Sequence, residues 1–428
     1  MVPTSDVETA RSGLVSTYVA DASQASAAKG KTHRMMGRRV WIAGLVVQAV
    51  AAVGSAQPAL DYTNSREIVA GRTAVFHSRT LNSDLQLSVR LPAGYEETSA
   101  RYPVLLSLEF FDLAVGVVST MCRGDYIPDM IVISIEGIGS DLYIPSPSTE
   151  GYGGDAEKFL RVIRDELLPV VDSTYRTEPY RILFGSSWAG VFTAYALLVS
   201  PETINAALAS GPWLTYDGDQ RYLLGHVANW TAGHDYSHNY LFFSGGNQPE
   251  IASSLEEFAA LLGEHASAKL AWTYDPMLEE DHYTLRPRTL LAGLRSLFAA
   301  RREIPDSVAA RGREAIQEYT DQVNTHFGYE IGLSQGALST KGWELYSSGE
   351  TDRAIEVMKL GVELRPLDAG TVYGLGRLMQ LTGDLEGAKG NYEKALTLLK
   401  PSQTVLRGSY EHKLNQVTEE LNAKVKKD

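Results

Sequence analysis

Six short apolar runs, separated by stretches of helical period, fill the chain between residues 100 and 300 and leave it few folds to adopt. The runs are Tyr102–Leu108, Met130–Ile135, Arg181–Phe184, Ala206–Ala209, Tyr240–Phe243 and Leu270–Tyr274. Continuous apolar runs of this length suit strands buried on both faces. Between them lie helical patterns at Asp155–Val171, Val191–Val199 and Ser253–His265, and after the last comes Arg288–Ala300. Such alternation predicts an α/β domain built on a doubly wound, mostly parallel sheet. Ahead of it, Ile68–Leu91 alternates in the manner of a hairpin at the sheet edge.

Beyond Ile304 the strand pattern ends and a period of 34 residues begins, with Gly342 superposing on Gly376 and Ala354 on Ala388. That is the tetratricopeptide period. The reading is a small all-α helical-repeat domain. Its parts are a helical linker over 304–333, two repeats over 334–401 and a closing helix over 402–428. The α/β domain takes 57–303.

Residues 1–56 form a polar extension and a signal peptide. Arg38 and Arg39 precede an apolar stretch, 40–53, and Gly54-Ser55-Ala56 offers a cleavage site. The apolar stretch falls short of the ~20 residues that span a bilayer, which predicts a secreted or periplasmic protein with no stable membrane span after processing. An uncleaved anchor at 40–56 is the alternative, and Met35 or Met36 is a candidate start. A formal charge of −13 argues against a nucleic-acid partner. Cys122 is the sole cysteine, so no disulfide or multi-cysteine metal site forms within the chain, and the expected thiol is a buried structural one.

The chemistry sits where the third run ends, in Gly185-Ser186-Ser187-Trp188-Ala189-Gly190. A serine on a tight strand-to-helix turn needs small residues around it, which Gly185, Ala189 and Gly190 supply. The helix that follows directs the Trp188 N–H toward an oxyanion. Ester cleavage further needs a histidine base and an acid, in the order Ser, acid, His. Glu250, just after the fifth run, and His282, after the sixth, meet that order. His77, His226, His234 and His238 lie before those places, and Glu256, Glu257 and Asp281 read as solvated carboxylates. The expectation is a small-molecule ester substrate, a Ser187-His282-Glu250 triad, an acyl-enzyme intermediate, no metal and no cofactor.

Several segments together resemble the putative esterase family of α/β-hydrolases, the group of esterase D, feruloyl esterases and enterochelin-type esterases. They are Phe76–Leu81, Leu91–Tyr95, Tyr102–Leu105, Leu167–Asp172, Tyr175–Thr177, Gly185–Gly190, Ser210–Trp213 and Asp281–Tyr283. The resemblance implies carboxylic ester hydrolysis, with Ser187 and His282 in matching positions. The chain departs from the family pattern at Ser186 and Ala189, in a trimmed loop at 137–143, and at Leu106–Phe111. There the family's Leu-Asp-Gly turn, a source of the second oxyanion donor, reads about three residues short. A second reading follows from that departure: a catalytically weak hydrolase frame whose repeats bind a protein or peptide partner.

Overall fold

The computed structural model describes residues 69–147, 153–217, 221–267, 269–401 and 403–425. The expected leader, anchor and start at 1–56 lie outside them. Strands β1 (Arg72–Ser78) and β2 (Ser83–Arg90) form the antiparallel hairpin at one edge. Then follow β3 (Tyr102–Leu108), helix α1 (Phe111–Arg123), β4 (Ile131–Glu136), α2 (Ala156–Arg161) and, past a π-helical stretch, α3 (Leu168–Thr174). β5 (Thr177–Ser186), α4 (Trp188–Val199), β6 (Ala206–Ser210), α5 (Tyr222–Gly233), β7 (Tyr240–Ser244), α6 (Pro249–His265), β8 (Ala271–Asp275) and α7 (Leu285–Leu297) complete the α/β layers.

The sheet order is β1-β2-β4-β3-β5-β6-β7-β8, and every pairing from β4 to β8 is parallel. One apolar cluster joins alternate strand residues such as Leu106, Ile133 and Leu183 to α2 through α6; another joins Leu105, Val132 and Ile182 to α1 and α7. This is the doubly wound arrangement, with all parallel strands ending along one edge. The chain reads out its functional loops there.

Eight-residue period-2 patterning made the hairpin legible, whereas α1 and α5 are helices that the sequence pattern does not announce. In α1 the inward set Ala114, Val118 and Met121 has helical spacing, yet the surrounding valines and Gly116 dilute it. Cys122 lies on this helix, half-buried, its thiol pushed up to about 12 by burial and then by Asp129. It is an inert thiol at neutral pH.

Past residue 304 every element among the described residues is a helix: α8 (Asp306–Ala309), α9 (Arg313–Phe327), α10 (Gln335–Ser347), α11 (Thr351–Leu364), α12 (Ala369–Leu381), α13 (Leu385–Leu398) and α14 (Thr404–Val425). The 34-residue offset recurs in space. A Cβ on Gly342 would meet Met358 Cγ at 2.5 Å, and one on Gly376 would meet Tyr392 at 3.0 Å, so glycine lets α10 approach α11 and α12 approach α13. Gly349 and Gly383, also 34 apart, share φ 88 in the turns. The helices share their core with the sheet: Phe327 of α9 lies 5.0 Å from Tyr180 of β5 and 5.2 Å from Phe298.

Candidate active site

Ser187 is the hinge between β5 and α4, with φ 58 and ψ −117. A non-glycine residue there costs about 1–3 kcal/mol, and such strain persists only where the surroundings over-determine it. They do so here. The Ser187 N–H donates to Ser210 O at 2.8 Å, and Val191 N–H donates to Ser187 O at 3.1 Å. A Cβ on Gly185 would stand 2.4 Å from Ala189 O, and one on Gly190 3.1 Å from Ser210 O. Helix α4 is buried along almost its whole length, including Val191, Phe192, Leu197 and Leu198. Each large apolar side chain so buried contributes about 1.5–3 kcal/mol, which exceeds the strain at one residue.

The neighbouring loops continue the same ladder. Gly211 N–H donates to Ser244 O at 2.9 Å, and Gly245 N–H to Asp275 O at 3.2 Å. Gly246 permits the last approach, since a Cβ there would sit 2.7 Å from Glu280 O. The Asn247 N–H then donates to Glu280 O at 2.8 Å, drawing the loop after β7 against the loop that carries His282.

His282 Nδ1 pairs with Gln248 Oε1 at 3.1 Å. The sequence pointed to Glu250 for this place. Glu250 instead lies in the exposed first turn of α6, where its carboxylate has no hydrogen-bond or ion-pair partner among the described residues. The physical reason is Pro249, which opens the helix and leaves Gln248 extended at the N-cap, free to face the histidine. Asp281 accepts from the Tyr283 and Thr284 N–H groups at 2.8 and 2.9 Å, a turn that leads into α7 and holds its carboxyl below the usual range. Glu257 pairs with Arg221.

Burial, then the positive charge of Arg286, lowers the His282 pKa below the ordinary imidazole value; Asp281 opposes the shift. The shift disfavours the protonated ring, and the neutral ring is the form a general base requires. Neither Ser187 Oγ nor His282 Nε2 has a hydrogen-bond partner among the described residues, a common geometry before substrate binds.

β3 ends at Leu108, and the chain turns at once. Glu109 (φ 68) and Phe110 (φ 61) are consecutive left-handed residues that turn the chain directly into α1. Glu109 O accepts from the hydroxyls of Ser107 and, at 3.0 Å, Ser134. Because the peptide is planar, those two hydroxyls fix the Phe110 N–H pointing away from them, and it has no acceptor among the described residues. Beside it, burial and the charge of Glu136 raise the Glu109 carboxyl, with Arg286 opposing. Trp188 opens α4 and meets Trp213 edge-on at 6.0 Å. Trp230 packs on Tyr195, and Tyr143 is buried between Phe159 and Phe192, so both belong to the core.

Fold and site together make an α/β-hydrolase-like fold whose sheet edge carries a strained serine and the loop that bears His282. Residues 78–284 match the family described as Putative esterase, which supports a carboxylic ester hydrolase. No curated protein sequence matches the chain. Among solved structures, an IroE-like serine hydrolase from Shewanella oneidensis is similar at 22% identity and TM-score 0.57, covering 69% of this chain and 99% of that one. An uncharacterised protein from Capnocytophaga ochracea is similar at 14% identity and TM-score 0.55, covering 81% of this chain and 99% of that one. The second match covers more than residues 1–303 amount to, so it reaches into the helical region.

Proposed function

We propose that the chain is an exported serine esterase acting on small-molecule carboxylic esters. Ser187 Oγ attacks the carbonyl while His282 takes its proton; His282 returns that proton to the departing alcohol, leaving an acyl-enzyme that water cleaves by the same route. The N–H groups of Trp188 and Phe110 receive the oxyanion, and one such donor is worth about 2.7–4 kcal/mol in the transition state. Gln248 holds the imidazole, with Glu250 in the acid role the sequence suggested only if α6 unwinds at its first turn. Secretion rests on the leader at 40–56, and tetratricopeptide-type packing on the 34-residue period.

The observation that carries this reading is the backbone of Ser187, strained at the sheet edge that also bears the His282 loop. Purified protein is expected to hydrolyse p-nitrophenyl acetate, and Ser187→Ala to abolish this; equal turnover by the variant overturns it. A second reading, a weak or inactive hydrolase that binds a protein partner through its helices, draws on the neutral amide where a triad has a carboxylate. A fluorophosphonate probe that leaves folded protein unlabelled would favour it.

A further inference from the structure

One cation at the site is not used by the mechanism. Arg286, in the first turn of α7, lies 4.6 Å from the Phe110 ring centroid and 4.8 Å from that of Tyr283. Its Nε donates to Ser186 Oγ at 3.3 Å, one residue before the nucleophile. No carboxylate pairs with it among the described residues, and its two Nη groups make no hydrogen bond there. The titratable groups whose ionisation it influences at the site are Glu109, which it does not contact, and His282. Two flanking rings hold the guanidinium, and its remaining N–H donors form a fork suited to a planar anion.

We propose that Arg286 is an anion seat, so that the preferred esters carry a carboxylate within reach of Ser187. The proposal rests on the esterase reading and specifies its substrate class. A partly buried arginine without a counter-ion is costly to keep, and a substrate carboxylate relieves that cost where a neutral group does not. The rings of Phe110 and Tyr283 restrict the guanidinium before binding, so little ordering is lost when the carboxylate arrives.

Paired esters test it. On the acyl side, p-nitrophenyl hydrogen succinate is compared with p-nitrophenyl butyrate; on the alcohol side, 4-carboxyphenyl butyrate with phenyl butyrate. In one of the two pairs the carboxylated ester should gain about ten- to a hundredfold in kcat/KM, after correction for its uncatalysed rate. Arg286→Gln should collapse that ratio to about twofold or less, and Arg286→Lys should keep part of it. Because the ratio is read within each variant, a change in His282 basicity cancels. Neutral esters turned over as well as charged ones, or a preference that survives Arg286→Gln, overturns the seat while leaving the esterase intact. A chain that cleaves no ester and resists the fluorophosphonate fails the parent reading instead. The seat then stands or falls on succinate itself, which should raise the thermal midpoint of the wild-type chain and not of Arg286→Gln.

Discussion

The two halves of the site are built to different standards. On the nucleophile side each group is fixed several times over: Ser187 by two backbone hydrogen bonds, Gly185 by an approach that leaves no room for a Cβ, Gly190 by a tight one, and α4 by burial. On the base side, His282 hangs from a half-exposed loop after an edge strand, held by one 3.1 Å bond to Gln248. Arg288 ties that loop to α7 through Glu279 and the more buried Glu280, and the exposed pair with Glu279 adds little, about 0–1 kcal/mol. Precision is concentrated around Ser187, and latitude around His282.

The contrast can be broken experimentally. The largest effect belongs to Ser187→Ala, expected to lower kcat by about 10⁴-fold or more with the denaturation midpoint nearly unchanged. Gly185→Ala comes next. Its new Cβ is forced against the Ala189 carbonyl, which is backbone and cannot yield, so unfolding in urea should show a loss of about 2 kcal/mol. A midpoint equal to wild type would mean the turn is looser than described.

Gln248→Ala should cost about tenfold in kcat, the worth of one orienting hydrogen bond, with stability almost untouched. Gln248→Glu sharpens the point through its pH profile. Activity requires neutral His282 and falls as pH drops through its lowered pKa. A carboxylate at 248 favours the protonated ring, so the acidic limb should move to higher pH while the plateau rises. No movement of the limb would separate residue 248 from the base. Glu250→Gln is the smallest change, within about twofold at every pH; a drop like that of Gln248→Ala would restore Glu250 as the acid.

Legibility in the sequence follows the same division. The strand, the turn and the helix around Ser187 are contiguous, so short-range pattern and steric need were enough to find them. The sheet was equally open to reading, because strands buried on both faces are apolar without interruption. Gln248 and Arg286 were not. Each owes its place to loops brought together across the sheet edge, and the decisive residue is Gly246, whose missing side chain admits Glu280. A carboxylate two positions from the true contact is indistinguishable from it until Pro249 is seen to start the helix. The turn after β3 is a subtler case: its two consecutive left-handed residues, Glu109 and Phe110, are of types that do not announce such a backbone.

Helix α7 joins these matters to the far end of the chain. Its first turn carries Arg286 and follows His282 directly, while its inner face, Leu290, Leu294 and Leu297, belongs to the core that continues into α9 through α12. Just beyond it, buried Arg301 reaches Asp125 at 3.6 Å, and Asp125 in turn accepts the N–H groups of Gln335 and Gly336 that open α10. Thirteen residues of helix make a strut about 20 Å long. A load placed on the C-terminal helices therefore reaches, through the same rod, the loop that carries His282, and the strut meets the site on its less firmly built side.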